Sequence, residues 1–132
     1  MSFLLEADTC VARLRRNAVV ANRFLQHAGG LFLSVVSVTG LELWLLRPNT
    51  PSRFQAPYMG LRSCLTLLNV DDAVAHRAAR VGNSRPTQAR RLTTADLLIA
   101  ATALEHGLTL VTHHTAAYAG IPGLTVVDWL AP

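Results

Sequence analysis

The chain has 132 residues, of which 51% are hydrophobic and 15% charged, and twelve basic residues against eight acidic ones give a net charge of +4. All the basic residues are arginines. This composition is typical of one globular domain over residues 1–132 and argues against intrinsic disorder. The longest stretch without charged residues or histidines, about residues 28–41, is interrupted by glycines and serines, so no membrane span is expected. A charge of +4 permits a polyanionic partner without selecting one.

The first residues have no basic start and no apolar run ending in small residues, so no secretory signal is expected. Cys10 and Cys64 are then most simply interpreted as reduced, semi-buried thiols. Together these features predict a cytoplasmic protein.

Five short apolar segments predict β-strands: residues 3–5, 30–38, 65–70, 108–112 and 124–127. Helical apolar spacing predicts helices over residues 10–16, 18–27, 41–46, 71–81 and 93–106. Two remaining segments, residues 47–58 with three prolines and the polar residues 82–91, predict loops or loose helix ends. The alternation of strands and helices predicts the α/β class, as a three-layer α/β/α sandwich around a mainly parallel sheet of four to five strands.

Four groups of polar residues from distant parts of the chain follow predicted strands or open a predicted helix. They are Glu6 with Asp8, residues 39–42, His113 with His114, and Asp96. Ligands of open α/β sheets bind at the carboxyl ends of the strands, so these groups are expected to converge on one edge. Carboxylates gathered there would bind Mg²⁺ or Mn²⁺, which can activate water for displacement at phosphorus.

Three of these acidic positions also have a purely structural interpretation. Asp96 lies three residues after Thr93, as in a capping box, and residues 39–42 have the same pattern. Glu6 could be a solvated strand end. These alternatives stay open from the residue pattern alone.

The other polar clusters are equally ambiguous. Arg13, Arg15 and Arg16 form a basic cluster that fits either a solvated helix face or phosphate contacts. The adjacent His113 and His114 fit either a loop or a transition-metal site.

Three segments together carry a family resemblance. They are FLLEADT at residues 3–9, LTTADLLIAATALEHGLTLVTH at residues 92–113 and IPGLTVVDWL at residues 121–130. They resemble PIN-domain proteins, specifically the toxin ribonucleases of VapBC toxin–antitoxin pairs. The resemblance implies an α/β/α sandwich, endoribonuclease activity on RNA that depends on Mg²⁺ or Mn²⁺, a homodimer, and neutralisation by a cognate antitoxin.

Carried over residue by residue, the resemblance makes Glu6, Asp8 and Asp96 the metal ligands. Glu6 stands where family members usually have aspartate, which moves the carboxylate about one methylene further out. Ala7 replaces the threonine that usually follows. Asp8 and Asp96 match acidic positions of the family directly. The resemblance implies a catalytic role for Glu6 and Asp96.

The second acidic position can be aligned in two ways. A shift of two residues matches Thr39 and Glu42 to the family's Thr-x-x-Glu-Leu pattern and makes Glu42 catalytic. A gap-free alignment over residues 34–44 instead puts Gly40 at the acidic position, with Glu42 turned about 200° around the helix.

The last acidic position is lost, because Ala117 stands where the family has an acid. His114 replaces an asparagine, and imidazole is a poorer Mg²⁺ ligand than oxygen. Thr112, His114 and Thr39 are therefore candidates for substitute or supporting groups.

Three hypotheses follow. The first is a metal-dependent ribonuclease whose site is weakened by Gly40 and Ala117, with Arg13 and Arg16 contacting RNA. The second is an inactive PIN domain that keeps its dimer and its antitoxin or RNA binding. The third is a Zn²⁺ or Mn²⁺ site built on His114.

Overall fold

The computed structural model describes residues 1–84 and 92–131. Within them, in chain order, lie β1 (Phe3–Leu5), α1 (Ala7–Leu14), α2 (Ala18–Gln26), β2 (Leu31–Ser34), α3 (Val35–Leu46), a 3-10 turn (Ser52–Phe54), α4 (Gln55–Ser63), β3 (Thr66–Leu68), α5 (Asp72–Ser84), α6 (Thr94–His106), β4 (Thr109–Val111), α7 (Thr115–Tyr118) and β5 (Val126–Val127). No helix in this described part of the chain has the length and hydropathy of a membrane span.

The five strands form one sheet in the order β3-β2-β1-β4-β5, and every neighbouring pair is parallel. β1 lies at the centre, where Leu5 is in register with Leu33 on one side and Val111 on the other. The chain runs outward through β2 and β3 and then crosses to β4 and β5. The strand order therefore reverses between β1 and β4, which is where an open α/β sheet leaves a cleft at its carboxyl edge.

The sheet is covered on both faces, because successive strand side chains point to opposite sides. Phe3 and Leu5 pack with buried residues of α1 to α4, and Trp129 closes that core. Leu4 packs on the other face with residues of α6 and α7, including Ile99. The predicted α/β class with a parallel sheet between helical layers is confirmed.

The prediction of a strand over residues 30–38 is wrong in its second half. β2 ends at Ser34, whose Oγ accepts a hydrogen bond from Val36 N at 3.1 Å and caps α3. Helix α3 therefore begins at Val35, six residues before the predicted start at Leu41. Apolar residues lie all around α3, so its sequence shows no alternation of polar and apolar residues with the period of a helix. Its β-branched valines favoured the prediction of a strand instead.

Other element boundaries also differ from the predictions. Helix α4 covers part of the predicted loop over residues 47–58, with Pro57 in its first turn, where proline is tolerated. Helix α7 was not predicted, and α5 continues to Ser84. Residues 85–91 of the second predicted loop lie outside the described residues. Cys10 is buried as expected, whereas Cys64 is exposed.

Leu4→Ala is expected to lower the free energy of unfolding by about 2–5 kcal/mol, because Leu4 is fully buried in the central strand. Leu67→Ala is the matched control in edge strand β3, where the side chain is 42% exposed, and it should cost less than about 1 kcal/mol. Urea unfolding followed by tryptophan fluorescence measures both. Equal losses would contradict the strand order.

Candidate metal site at the carboxyl edge of the sheet

Three carboxylates from two distant parts of the chain lie at the carboxyl ends of β1 and β4. Glu6 follows β1, and its backbone N donates to Val111 O at 2.9 Å, which joins the ends of the two strands. Glu6 is also the N-cap residue of α1, but its side chain makes no capping bond. Asp8 lies in the first turn of α1 and Asp96 in the first turn of α6.

Two hydroxyl groups connect these carboxylates. Thr112 Oγ1 donates to Glu6 Oε2 and lies 3.3 Å from Asp8 Oδ2. The Tyr118 hydroxyl donates to Glu6 Oε1 at 2.7 Å and lies 3.3 Å from Asp96 Oδ1. Glu6 thus has a hydroxyl partner on each oxygen, and the predicted convergence of Glu6, Asp8 and Asp96 on one edge is present.

Asp8 is held by backbone donors. Its Oδ1 accepts from Thr9 N at 2.6 Å, and its Oδ2 accepts from His113 N at 2.8 Å. The His114 Nε2 atom lies 3.8 Å from the same Oδ2. The loop after β4 therefore fixes the orientation of Asp8 through its backbone.

Asp96 combines the structural and the functional interpretation. Its backbone N donates to Thr93 Oγ1 at 3.1 Å, and its Oδ2 accepts from Thr93 N at 3.0 Å, which completes a capping box. The other oxygen, Oδ1, faces the Tyr118 hydroxyl. The cap therefore orients the carboxylate without using up both oxygens.

The carboxylate cluster has no arginine counterpart in the part of the chain that the structure describes. Among residues 1–84 and 92–131, no arginine makes an ion pair with Glu6, Asp8 or Asp96. Burial raises the pKa of Glu6, and the charges of Asp8 and Asp96 raise it further, while hydrogen bonds from Thr112 and Tyr118 oppose this. Burial, followed by the charge of Glu6, also raises the pKa of Tyr118, which stays a proton donor.

The donor chemistry fits a hard divalent cation, because carboxylate and hydroxyl oxygens are the ligands that Mg²⁺ and Mn²⁺ prefer. The excess negative charge fits a cation as well. In the described arrangement, however, no three His, Cys, Asp or Glu side chains are grouped so that they could hold a metal ion. The Tyr118 hydroxyl lies between Glu6 and Asp96 instead.

The two residues aligned with the second acidic position, Glu42 and Gly40, have different neighbours in the structure. Glu42 Oε2 accepts from the Tyr58 hydroxyl at 2.8 Å and lies 3.6 Å from Arg62 Nη1. A Cβ built on Gly40 would lie 3.5 Å from the Cβ of Ala7, the residue between Glu6 and Asp8. These contacts favour the gap-free alignment, in which Gly40 takes the acidic position.

Thr39 is exposed on α3, and its hydroxyl donates to Val35 O at 3.3 Å. Ala117 is buried in the apolar core next to Tyr118 and offers no ligand. Neither residue takes part in the carboxylate cluster.

The predicted RNA-contacting arginines lie at the opposite end of α1 from the carboxylates. Arg13 and Arg16 line a cavity of about 310 Å³ together with Phe24 and Pro57. The Arg13 guanidinium lies over the Phe24 ring, 5.7 Å from its centroid. Their role in RNA binding stays a prediction.

Sequence reasoning missed two residues of this edge. Tyr118 follows the polar residues after β4 by one helical turn, but the short helix α7 that positions it was not predicted. Asp128 directly follows β5, so the expectation that ligand-binding residues lie at the carboxyl ends of the strands applied to it too. Its Oδ2 lies 3.0 Å from His113 Nδ1.

The raised pKa of Glu6 predicts a pH-dependent stability difference between the wild type and Glu6→Gln in metal-free buffer. A carboxyl that binds its proton more tightly in the folded state lowers the free energy of unfolding progressively as the pH rises above its ordinary pKa of 4.5, and the full loss is reached above its folded pKa. The variant should therefore gain stability relative to the wild type as the pH rises from about 4 to about 8. Urea unfolding at several pH values measures this. Glu42→Gln, which removes a surface carboxylate of equal length, is the control, and a pH-independent difference for Glu6→Gln would contradict the expectation.

Comparison with known proteins gives a consistent match. The PIN domain family model matches residues 8–118. A tRNA(fMet)-specific endonuclease VapC of Shigella flexneri is 27% identical over 130 residues, which cover 98% of each chain. A protein of the same name from Salmonella typhimurium is 26% identical over 133 residues, with the same coverage.

Solved structures share the fold. The DNA-bound VapBC complex of Salmonella typhimurium contains a chain with a TM-score of 0.87, 23% identity and 98% coverage of both chains. VapBC2 of Rickettsia felis, bound to a promoter DNA fragment, gives a TM-score of 0.87 at 19% identity, with 98% of this chain and 99% of that chain covered. Since the family model spans most of the sequence, including Asp8, Asp96 and the loop after β4, the chain belongs to the PIN domain family.

Proposed function

We propose that this protein is a toxin of the VapC type, a cytoplasmic endoribonuclease that depends on Mg²⁺ or Mn²⁺ and is neutralised by a cognate antitoxin. One observation carries the proposal: Glu6, Asp8 and Asp96 converge at the reversal of the strand order, without an arginine partner among the described residues. The family and the names of the relatives support the same activity. Transfer RNA is the first substrate to assay, because both relatives are named for it.

Glu6, Asp8 and Asp96 would hold the cation through their carboxylate oxygens. The cation would supply positive charge at the scissile phosphate and lower the pKa of a bound water. The chain's own contribution is orientation. Thr112 and the His113 backbone fix Glu6 and Asp8, and the capping box fixes Asp96. Glu42 has no part in this assignment, because its contacts are with Tyr58 and Arg62 on another side of α3.

Arginines at the far end of α1 supply RNA affinity in this proposal. Arg13 lies five residues after Asp8 within α1, which at about 1.5 Å per helical residue is about 7.5 Å along the axis, and Arg16 follows the end of the helix. Arg13 and Arg16 would therefore contact phosphates that flank the cleavage site. Arg15 and Arg16 also line a second cavity, of about 600 Å³, with Arg53 and Phe54. Such contacts give salt-dependent affinity with little base specificity.

Exposed apolar side chains on three helices support the proposal that the protein binds protein partners. Leu25, Leu43, Leu46 and Met59 are each more than half exposed on α2, α3 and α4. Contiguous exposed apolar surface marks interaction sites, and we take these four side chains to form such surface. We assign it to a second copy of the chain and to the antitoxin, because the related structures are complexes of the VapBC type. The mass of the purified protein in solution decides between a monomer and a dimer.

A second candidate is an inactive PIN domain that keeps dimerisation and antitoxin or RNA binding. It is favoured by the missing acids at Gly40 and Ala117 and by the lack of a three-ligand group among the described residues. Thermal unfolding with added Mn²⁺ separates the two candidates. A ligand that binds only the folded state raises the apparent stability by RT ln(1 + [L]/Kd), whereas an inactive domain without metal affinity keeps its Tm.

Asp96→Asn is expected to lower the rate of tRNA cleavage by at least about a hundredfold and to reduce Mn²⁺ affinity, because it removes a ligand charge. The asparagine oxygen can still accept from Thr93 N, so the cap of α6 is kept. Cleavage assays and calorimetric Mn²⁺ titration measure the two effects. Asp72→Asn makes the same chemical change at an exposed first-turn position of α5 and should leave both unchanged. Cleavage that is insensitive to Asp96→Asn would overturn the proposed function.

Gly40→Glu is expected to strengthen the site, because a side chain at position 40 has room beside Ala7 and adds a carboxylate near the cluster. Mn²⁺ affinity should rise about tenfold or more, since added ligand charge increases affinity for hard cations. Gly40→Gln is the matched control, because both substitutions replace a helical glycine and share the resulting helix stabilisation of about 0.5–1 kcal/mol. Equal Mn²⁺ affinity in the two variants would exclude position 40 from the site.

A further inference from the structure

Tyr118 is a buried group at the carboxylate cluster to which the proposed function gives no role. Its side chain is one of the largest fully buried ones, with 2% of its surface exposed. The hydroxyl lies 2.7 Å from Glu6 Oε1 and 3.3 Å from Asp96 Oδ1. It therefore occupies the space between two carboxylates that the proposed function makes ligands of one cation.

A phenol has a single hydrogen to donate. The shorter contact assigns this hydrogen to Glu6, and Thr112 donates to the other oxygen of the same carboxylate. Both oxygens of Glu6 are thus engaged by neutral hydroxyls. A neutral hydroxyl stabilises one carboxylate by a hydrogen bond but leaves the repulsion between Glu6 and Asp96 in place, whereas a bound cation would remove it.

The tyrosine has little freedom to leave. Its ring belongs to the apolar core on the α6 face of the sheet, where it packs with Leu4, Ile99 and Leu110. A rotation of the ring would open a cavity in that core. Glu6 is only partly buried, and its side chain has more rotatable bonds than the aspartate usual at this position. Glu6 is therefore the residue that must move when the cation replaces the Tyr118 hydroxyl as its partner.

We propose that the Tyr118 hydroxyl competes with the divalent cation for Glu6, so that metal binding requires the Glu6 carboxylate to give up this hydrogen bond. The inference rests on the proposed function, because it takes Glu6 and Asp96 as metal ligands. It accounts for the described arrangement, in which the carboxylates converge but no three ligands are grouped to hold an ion.

The test is the affinity for Mn²⁺, measured by calorimetry on the purified wild-type chain and on Tyr118→Phe. The variant keeps the ring and removes the competing hydroxyl, so its Kd should fall by a factor on the order of ten, the effect of one hydrogen bond to a charged group. The metal-free variant should also melt at a lower temperature than the metal-free wild type.

Tyr58→Phe is the matched control. Tyr58 is also buried, with 3% of its surface exposed, and its hydroxyl also donates to a carboxylate, Glu42 Oε2 at 2.8 Å. Tyr58→Phe thus removes the same hydroxyl group from an equivalent hydrogen bond that lies outside the carboxylate cluster. The control should melt at a lower temperature than the wild type without a change in Kd for Mn²⁺.

A spectroscopic measurement complements the affinities, because the chain has only two tyrosines. Mg²⁺ titration of the wild type should give a tyrosine difference signal in the near ultraviolet as the hydroxyl of Tyr118 loses its partner. Tyr58→Phe should keep this signal and Tyr118→Phe should lose it. A wild type that binds Mg²⁺ without the signal would overturn the inference.

The remaining outcomes separate the inference from the proposed function. Tighter Mn²⁺ binding by Tyr118→Phe supports the inference, including the case in which only this variant binds. Equal or weaker binding by Tyr118→Phe, with binding by the wild type intact, overturns the inference and leaves the proposed function standing. Absence of binding in both proteins overturns the inference together with the metal dependence of the proposed function.

Discussion

The parallel pairing of β1 with β2 on one side and β4 on the other is the constraint on which this structure depends. β1 has only three residues, and each of them is at least 95% buried. Its two faces support two separate cores, one under α1 to α4 and one under α6 and α7. The same pairing aligns the ends of β1 and β4, so that the residues that follow these strands meet. The same strand pairing thus produces both the core and the candidate site.

The candidate site is a cluster of carboxylates stabilised by hydroxyl and backbone donors. Glu6, Asp8 and Asp96 accept these bonds from Thr112, Tyr118 and the chain itself. Neutral donors reduce the cost of burying the carboxylates but not the repulsion between them. Among the described residues no arginine balances the negative charge at this edge of the sheet, which is the property that a divalent cation would use.

Local sequence patterns predicted those features that depend on near neighbours. Thr93 and Asp96 form the capping box that their spacing indicates, and Gly107 ends α6 with a φ of 63° in the left-handed region. The buried helix α6 and the central strands were also identified correctly in type. Helix α3 was misassigned at its start, because its valines pack against both cores and show no helical period. Helix α7, with four residues, is too short to produce any period.

The sequence by itself determined the fold class, the family resemblance and the carboxylates that follow the strands, because strand and helix patterns and strand-end positions are local properties. Only the tertiary structure decided how these carboxylates are engaged. It placed Glu42 against Tyr58 and position 40 against Ala7, because the direction in which a helical residue points depends on where the helix begins. It also brought Tyr118 to Glu6, a partner 112 residues away, through the register of β1 with β4. Such contacts depend on strand order and packing, and no local pattern of residues records them.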